Sequence, residues 1–147
     1  MGNLITEKFE IQLEEWNPNE KSRTYDCYIC SLLFFAKNET WESLFDEITN
    51  ICRSNYTVSN DPVVIETEYH KYGFVRDTFW QGKRLLDFID SHKEGSYIIK
   101  IGSHYFAYQN GIVYDRSNIL KSFDIILSKN IDTLYTKSLN LNIKERI

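Results

Sequence analysis

The chain opens on a period of two. In "KFEIQLEEW" Phe9, Ile11 and Leu13 alternate with Glu10, Gln12 and Glu14, the pattern of a half-buried strand. The polar stretch "NPNEKSR" follows as a loop. The period then changes. In "DCYICSLLFFAK" a spacing of about 100° per residue gathers Ile29, Leu32, Leu33 and Ala36 into one stripe, and Cys30, Phe34 and Phe35 fill most of the remaining circumference. A helix apolar nearly all round is a buried one. The pattern therefore predicts a central helix, with Asp26 as N-cap and Cys27 at the first helical position, the one residue of the helix to meet a cleft.

Three further helices follow. "NETWESLFDEITNICRSN" places Trp41, Leu44, Phe45, Ile48 and Cys52 on one face behind a Thr40 cap. "NDPVVIETEYHKYGF" has Asp61 as cap, Pro62 at the first position and Gly73 as terminator. "GKRLLDFIDSHKEG" is short and stops near Gly95. The texture then turns β-rich in "SYIIKI", "HYFAYQ" and "IVYD", with "SFDIIL" and "DTLYTKSLNL" as weaker strand candidates. Helices first and an antiparallel sheet afterwards is an α+β order.

The strongest local signal is Asn110-Gly111, between two of these runs. As a two-residue hairpin turn it sets Gln109 opposite Ile112 and Phe106 opposite Asp115. His104 projects from the same side of the sheet as Phe106. His104 and Asp115 are then diagonal neighbours, with Cα atoms ~7–8 Å apart, a gap that one side-chain hydrogen bond closes. A register slip of one residue would turn Asp115 to the opposite face.

Composition bounds what this couple can serve. The chain has 147 residues, 42% hydrophobic and 26% charged, which suits a single domain spanning 1–147. Glycine and proline are scarce and no repeat stands out, so no linker or low-complexity segment is expected. The net charge is -4 and the densest basic cluster, "GKRLL", holds two cations, which argues against a nucleic-acid partner. No apolar run reaches transmembrane length, so no membrane partner is expected. "MGNLIT", with Thr6 last, matches the short N-myristoylation pattern, which operates only in a eukaryotic host. Abundant Ile, Asn, Lys and Tyr point to a low-GC genome, such as those of many bacteria and their viruses. An odd count of three cysteines, with no secretory signal before them, predicts a reducing, cytoplasmic setting rather than a disulfide framework.

Cys27 and Cys30, three apart, admit three readings: a redox pair, a metal clip, or one nucleophile with a packed neighbour. Redox motifs of this spacing follow a strand early in a βαβ pattern, whereas helices follow here. A zinc site needs a second Cys pair or a spaced His pair, and neither is present. The third reading makes Cys27 the nucleophile, activated by a helix N-terminus and an imidazole, and Cys30 core packing. His104 would shuttle the proton and Asp115 would orient it. Each has a plainer reading as well: a packed thiol, a structural strand histidine, and an aspartate opening the turn "DRSN". His70 and His92 fall on polar helical faces, and Tyr105, Phe106, Tyr108 and Trp80 read as core.

The layout resembles the papain-like cysteine peptidase superfamily, and within it small bacterial and phage-encoded proteins. Those carry an "N-D-C-x-x-R-A" start, a "GF" after a helix, and a "G-x-Y … G-H … (D/N)-G-x-x-Y-D" stretch. The counterparts here are "YDCYICSL" at 25–32, "GF" at 73–74 and "GSYIIKIGSHYFAYQNGIVYD" at 95–115. The resemblance implies a papain-like α+β domain, a helical part packed on an antiparallel sheet, with catalytic Cys27, His104 and Asp115 and no cofactor or metal. It implies a cysteine-dependent hydrolase of protein or peptide substrates, and extends to transferases such as transglutaminases and arylamine N-acetyltransferases. Two departures stand out. Cys30-Ser31 replace the Arg-Ala after the nucleophile, and the position of papain's oxyanion glutamine falls on Lys21. Asn17, Asn19 and Gln81 are candidate substitutes. These departures motivate the competing expectation of an idle, papain-like binding module, for example a viral protein engaging a host factor.

Overall fold

The computed structural model describes residues 3–5, 11–18, 26–55 and 61–138. Phe9, Asn19, Lys21 and the "MGNLIT" pattern with Thr6 lie outside the described residues, wholly or in part. The elements in chain order are β1 (Asn3–Ile5), β2 (Gln12–Glu15), α1 (Cys27–Phe35), α2 (Trp41–Asn55), α3 (Pro62–Lys71), β3 (Phe74–Arg76), α4 (Leu85–Ser91), β4 (Ser96–Ile101), β5 (His104–Gln109), β6 (Ile112–Asp115), α5 (Ser117–Leu120), α6 (Phe123–Leu127) and β7 (Thr133–Lys137).

Local signals set most boundaries. The Asp61 carboxylate accepts the Val63 N–H at 2.9 Å and Pro62 starts α3. Thr40 caps α2 by accepting the Ser43 N–H at 3.0 Å, and Ser43 Oγ returns the bond to the Thr40 N–H at 2.9 Å. Trp41, Leu44, Ile48 and Cys52 are buried on one face, while Phe45 is 39% exposed and stacks on Trp41. Asn110 and Gly111 both adopt positive φ, 51° and 85°, as a two-residue type I′ turn requires. The register follows: Gln109 pairs with Ile112, Tyr108 with Val113 and Ala107 with Tyr114.

The fold is α+β, but the sheet differs from the expected antiparallel one. Among the described residues seven strands run in the order β1-β2-β6-β5-β4-β7-β3, and β2 lies parallel to β6. Strand β2 lies beside β6, the outer edge of the hairpin, with no hairpin turn between them. A second correction concerns "SFDIIL", which is helix α6 rather than a strand. Phe123 and Leu127 are buried four residues apart, whereas Ile125 is 61% exposed. The apolar run looks continuous in sequence, but its burial has helical spacing.

Both faces of the sheet are covered. On one, α1, α2 and α3 pack against Phe74, Ile98, Tyr105 and Tyr135. On the other, α4, α5 and α6 bury Phe88, Leu120, Phe123 and Leu127 against Ile99, Phe106, Tyr108 and Val113. Tyr105 and Phe106 thus face opposite layers, as the period of two demands. Helix α1 is central as expected: Ile29 and Leu32 are 1% and 0% exposed. Burying a side chain of that size stabilises the fold by about 1.5–3 kcal/mol, which fixes where the first residue of the helix sits.

Candidate active site

The start of β5 is where the two layers meet. Helix α1 brings its first residue, Cys27, against the backbone there, with the thiol donating to Ser103 O at 3.7 Å and the Tyr105 N–H donating to Sγ at 3.4 Å. His104 lies between those two residues. Its side chain projects with Phe106 on the far face, and the two rings stack at 6.1 Å.

The hairpin register, extended one pair beyond Ala107 and Tyr114, brings Asp115 opposite Phe106. His104 Nε2 and Asp115 Oδ2 are 2.5 Å apart. Asp115 is 6% exposed, and its other oxygen accepts the Arg116 N–H at 2.8 Å. Burial disfavours a charged His104 ring, but hydrogen bonds to Asp115 and to Cys27, and the charges of both, outweigh it and push the ring up to about 10. With Nε2 held by Asp115, Nδ1 is the atom left for the sulfur. The His104–Asp115 pair and Cys27 thus meet at the start of β5, with the Cys27 sulfur held by the backbone on either side of His104.

Asp26 holds the N-cap position of α1, but its side chain makes no capping bond. It is 4% exposed and points inward instead. Arg116 Nη2 donates to Asp26 Oδ1 at 2.5 Å, and Trp41 Nε1 donates to Oδ2 at 3.1 Å. Arg116 Nη2 also reaches Cys30 Sγ at 3.4 Å. The residue before the cysteine is thus tied to the residue after the aspartate. The pairing also sets a cation against a buried carboxylate.

Cys30 is packed in the core as expected, at 7% exposure. Burial, and then the charge of Asp26, push its thiol up to about 12. That suits neither a nucleophile nor an exchanging redox partner at neutral pH. Among the described residues, no group of three His, Cys, Asp or Glu is placed to hold a metal ion.

Cys27, His104 and Asp115 line one cleft of about 340 Å³. Cys27 is not the only residue of its helix there, since Cys30 and Ser31 line the wall too. Trp16 closes one side, donating through Nε1 to Cys30 O at 3.2 Å. Neither Asn17 nor Gln81 lines this cleft; the amide that does is Asn118, exposed on α5. Sequence reasoning passed over Asn118 and Arg116 because "DRSN" reads as a turn, whereas Asp115 ends β6, Arg116 is the N-cap of α5 and Ser117 and Asn118 begin it. His70 is exposed, as expected. His92 is not a free surface residue: it stacks on Phe88 at 4.2 Å and ends α4. Among the described residues, no helix is long and apolar enough to cross a membrane. No protein-family model, curated protein or solved structure matches the chain.

Proposed function

We propose that this chain is a papain-like cysteine hydrolase, a peptidase, isopeptidase or amidase acting through a thioester. The observation that carries the reading is the His104–Asp115 hydrogen bond set beside the Cys27 sulfur, all three side chains lining one cleft. In the proposed reaction Cys27 Sγ, as thiolate, attacks the carbonyl carbon. The C–N bond breaks as His104 gives its proton to the departing nitrogen. Water then attacks the thioester, His104 takes the water's proton, and the thiolate leaves with a free carboxylate as product. Asp115 holds the imidazolium and fixes which ring nitrogen faces the sulfur.

The Tyr105 N–H at the sulfur is a donor that a thiolate accepts more strongly than a thiol does. The N-terminus of α1, a nine-residue helix, favours negative charge at the same place. For the oxyanion, the Cys27 N–H has no acceptor within its own helix, and Asn118 is the amide lining the cleft. A cleft that binds a protein without turning it over is the second reading, favoured by a cleft wall that includes neither Asn17 nor Gln81.

Mass spectrometry after incubation with p-nitrophenyl acetate separates the two. The hydrolase reading expects transient acetylation of Cys27, with p-nitrophenolate released over many turnovers. No acetyl on Cys27 and no turnover would leave the binding module.

A further inference from the structure

A second cleft adjoins the first. It holds about 360 Å³ and is lined by Ile101, Gly102, His104, Ile119, Ile126 and Lys129, with Asn130 and Asp132 at its rim. His104 and Ile119 line both clefts, so the imidazole belongs to the wall between them. Cys27 lines only the first. Its floor is aliphatic, built from three isoleucines, and Asp132 is already engaged by the Gly102 N–H. The volume is within the range of small-ligand pockets, about 300–1,000 Å³.

Resting on the hydrolase reading, we infer that this second cleft receives the leaving-group side of the substrate and selects an apolar, branched side chain there. The proton logic assigns the side. The acyl portion stays on Cys27 as a thioester and must occupy the cleft that contains the sulfur. The departing nitrogen must take its proton from His104, so the fragment it carries lies against the imidazole. The isoleucine-lined cleft touches His104 and does not contain the sulfur. An aliphatic side chain buries apolar surface on that floor, whereas an acidic one would lose its hydration against three isoleucines, with Lys129 exposed at the edge.

Reversing the step gives the test. Cys27 acetylated by p-nitrophenyl acetate is offered an amine in place of water. The amine nitrogen attacks the thioester carbon, His104 takes its proton, and the C–S bond breaks to give an N-acetyl amide and the thiolate. Capture by leucinamide is compared with capture by glycinamide, after dividing by the same ratio for a free acetyl thioester in solution. The expected preference is about tenfold or more for leucinamide. It should fall close to one in Ile126→Asp and survive in Ile125→Asp, whose side chain lies on the same helix outside the cleft. The ratio is internal to each protein, so partial loss of folded material cancels. Acetylation of Cys27 with no preference, or a preference unchanged in Ile126→Asp, overturns the assignment while leaving the hydrolase reading intact. Absence of any acetyl-enzyme refutes the hydrolase reading, and the assignment falls with it.

Discussion

Replacing Asp115 by asparagine keeps the shape and one hydrogen-bond acceptor for His104 but removes the charge. The structure sets the size of the effect. The His104 ring rises from 6.5 to about 10 although burial works against it. At about 1.4 kcal/mol for each tenfold change in proton affinity, that rise corresponds to about 5 kcal/mol favouring the folded, protonated ring. The hydrogen bond and charge of Asp115 each contribute at least as much as those of Cys27. At least half of the net rise, about 2–3 kcal/mol, therefore belongs to the aspartate. Because the folded value lies above the unfolded one, this stabilisation is fully present below about pH 6.5 and is lost as the pH rises through about 10. Urea unfolding of the native protein and Asp115→Asn across this range is the assay. The stability gap between them should be larger at pH 6 than at pH 10.5, by about 2–3 kcal/mol. A gap independent of pH would refute the reasoning, because Asp115 would then be holding a neutral ring.

Arg116→Ala should destabilise the protein by about 3–5 kcal/mol, since it removes the cation paired with the buried Asp26 carboxylate; Arg116→Lys should recover part of the loss, both read from urea midpoints. Gly111→Ala should cost about 1–2 kcal/mol through its positive φ alone, because a Cβ there meets nothing closer than Lys93 O at 3.6 Å; a chemical-denaturation curve checks it. Burial, reinforced by Glu47, pushes the Glu68 carboxyl up to about 8. Its folded value lies above the unfolded one, so its contribution to stability is present below about pH 4.5 and is lost as the pH rises through about 8. The melting temperature of Glu68→Gln should therefore gain on that of the native protein between pH 5 and pH 8.5.

What could be read from the sequence follows from the range of each interaction. The Asn110-Gly111 turn is local, and its two positive φ values fix a register that carries His104 to Asp115 eleven residues away. Thr40, Asp61 and Pro62 act within one helical turn, so α2 and α3 were also legible. Helix α6 was not, because its apolar run "FDIIL" satisfies a buried strand as well as a helix until the sheet exists to choose which residues it buries. The parallel contact of β2 with β6 joins residues about a hundred positions apart, and no turn chemistry announces it. The Asp26–Arg116 pair is similarly long-range. Asp26 looks like a cap in sequence because the half-buried cation that diverts its carboxylate, Arg116, meets it only after the two layers close.

The account stands most directly on the rate at which Cys27 is alkylated by iodoacetamide at pH 6. Cys27 is half-buried, whereas Cys30 and Cys52 are buried, so access alone favours it. The decisive comparison is therefore between the native protein and His104→Ala, by peptide mapping over time. The account predicts rapid alkylation of Cys27 in the native protein and a rate at least about tenfold lower in His104→Ala, because the imidazolium that holds the thiolate is gone. Equal rates in the two proteins would contradict it and leave Cys27 an ordinary packed thiol.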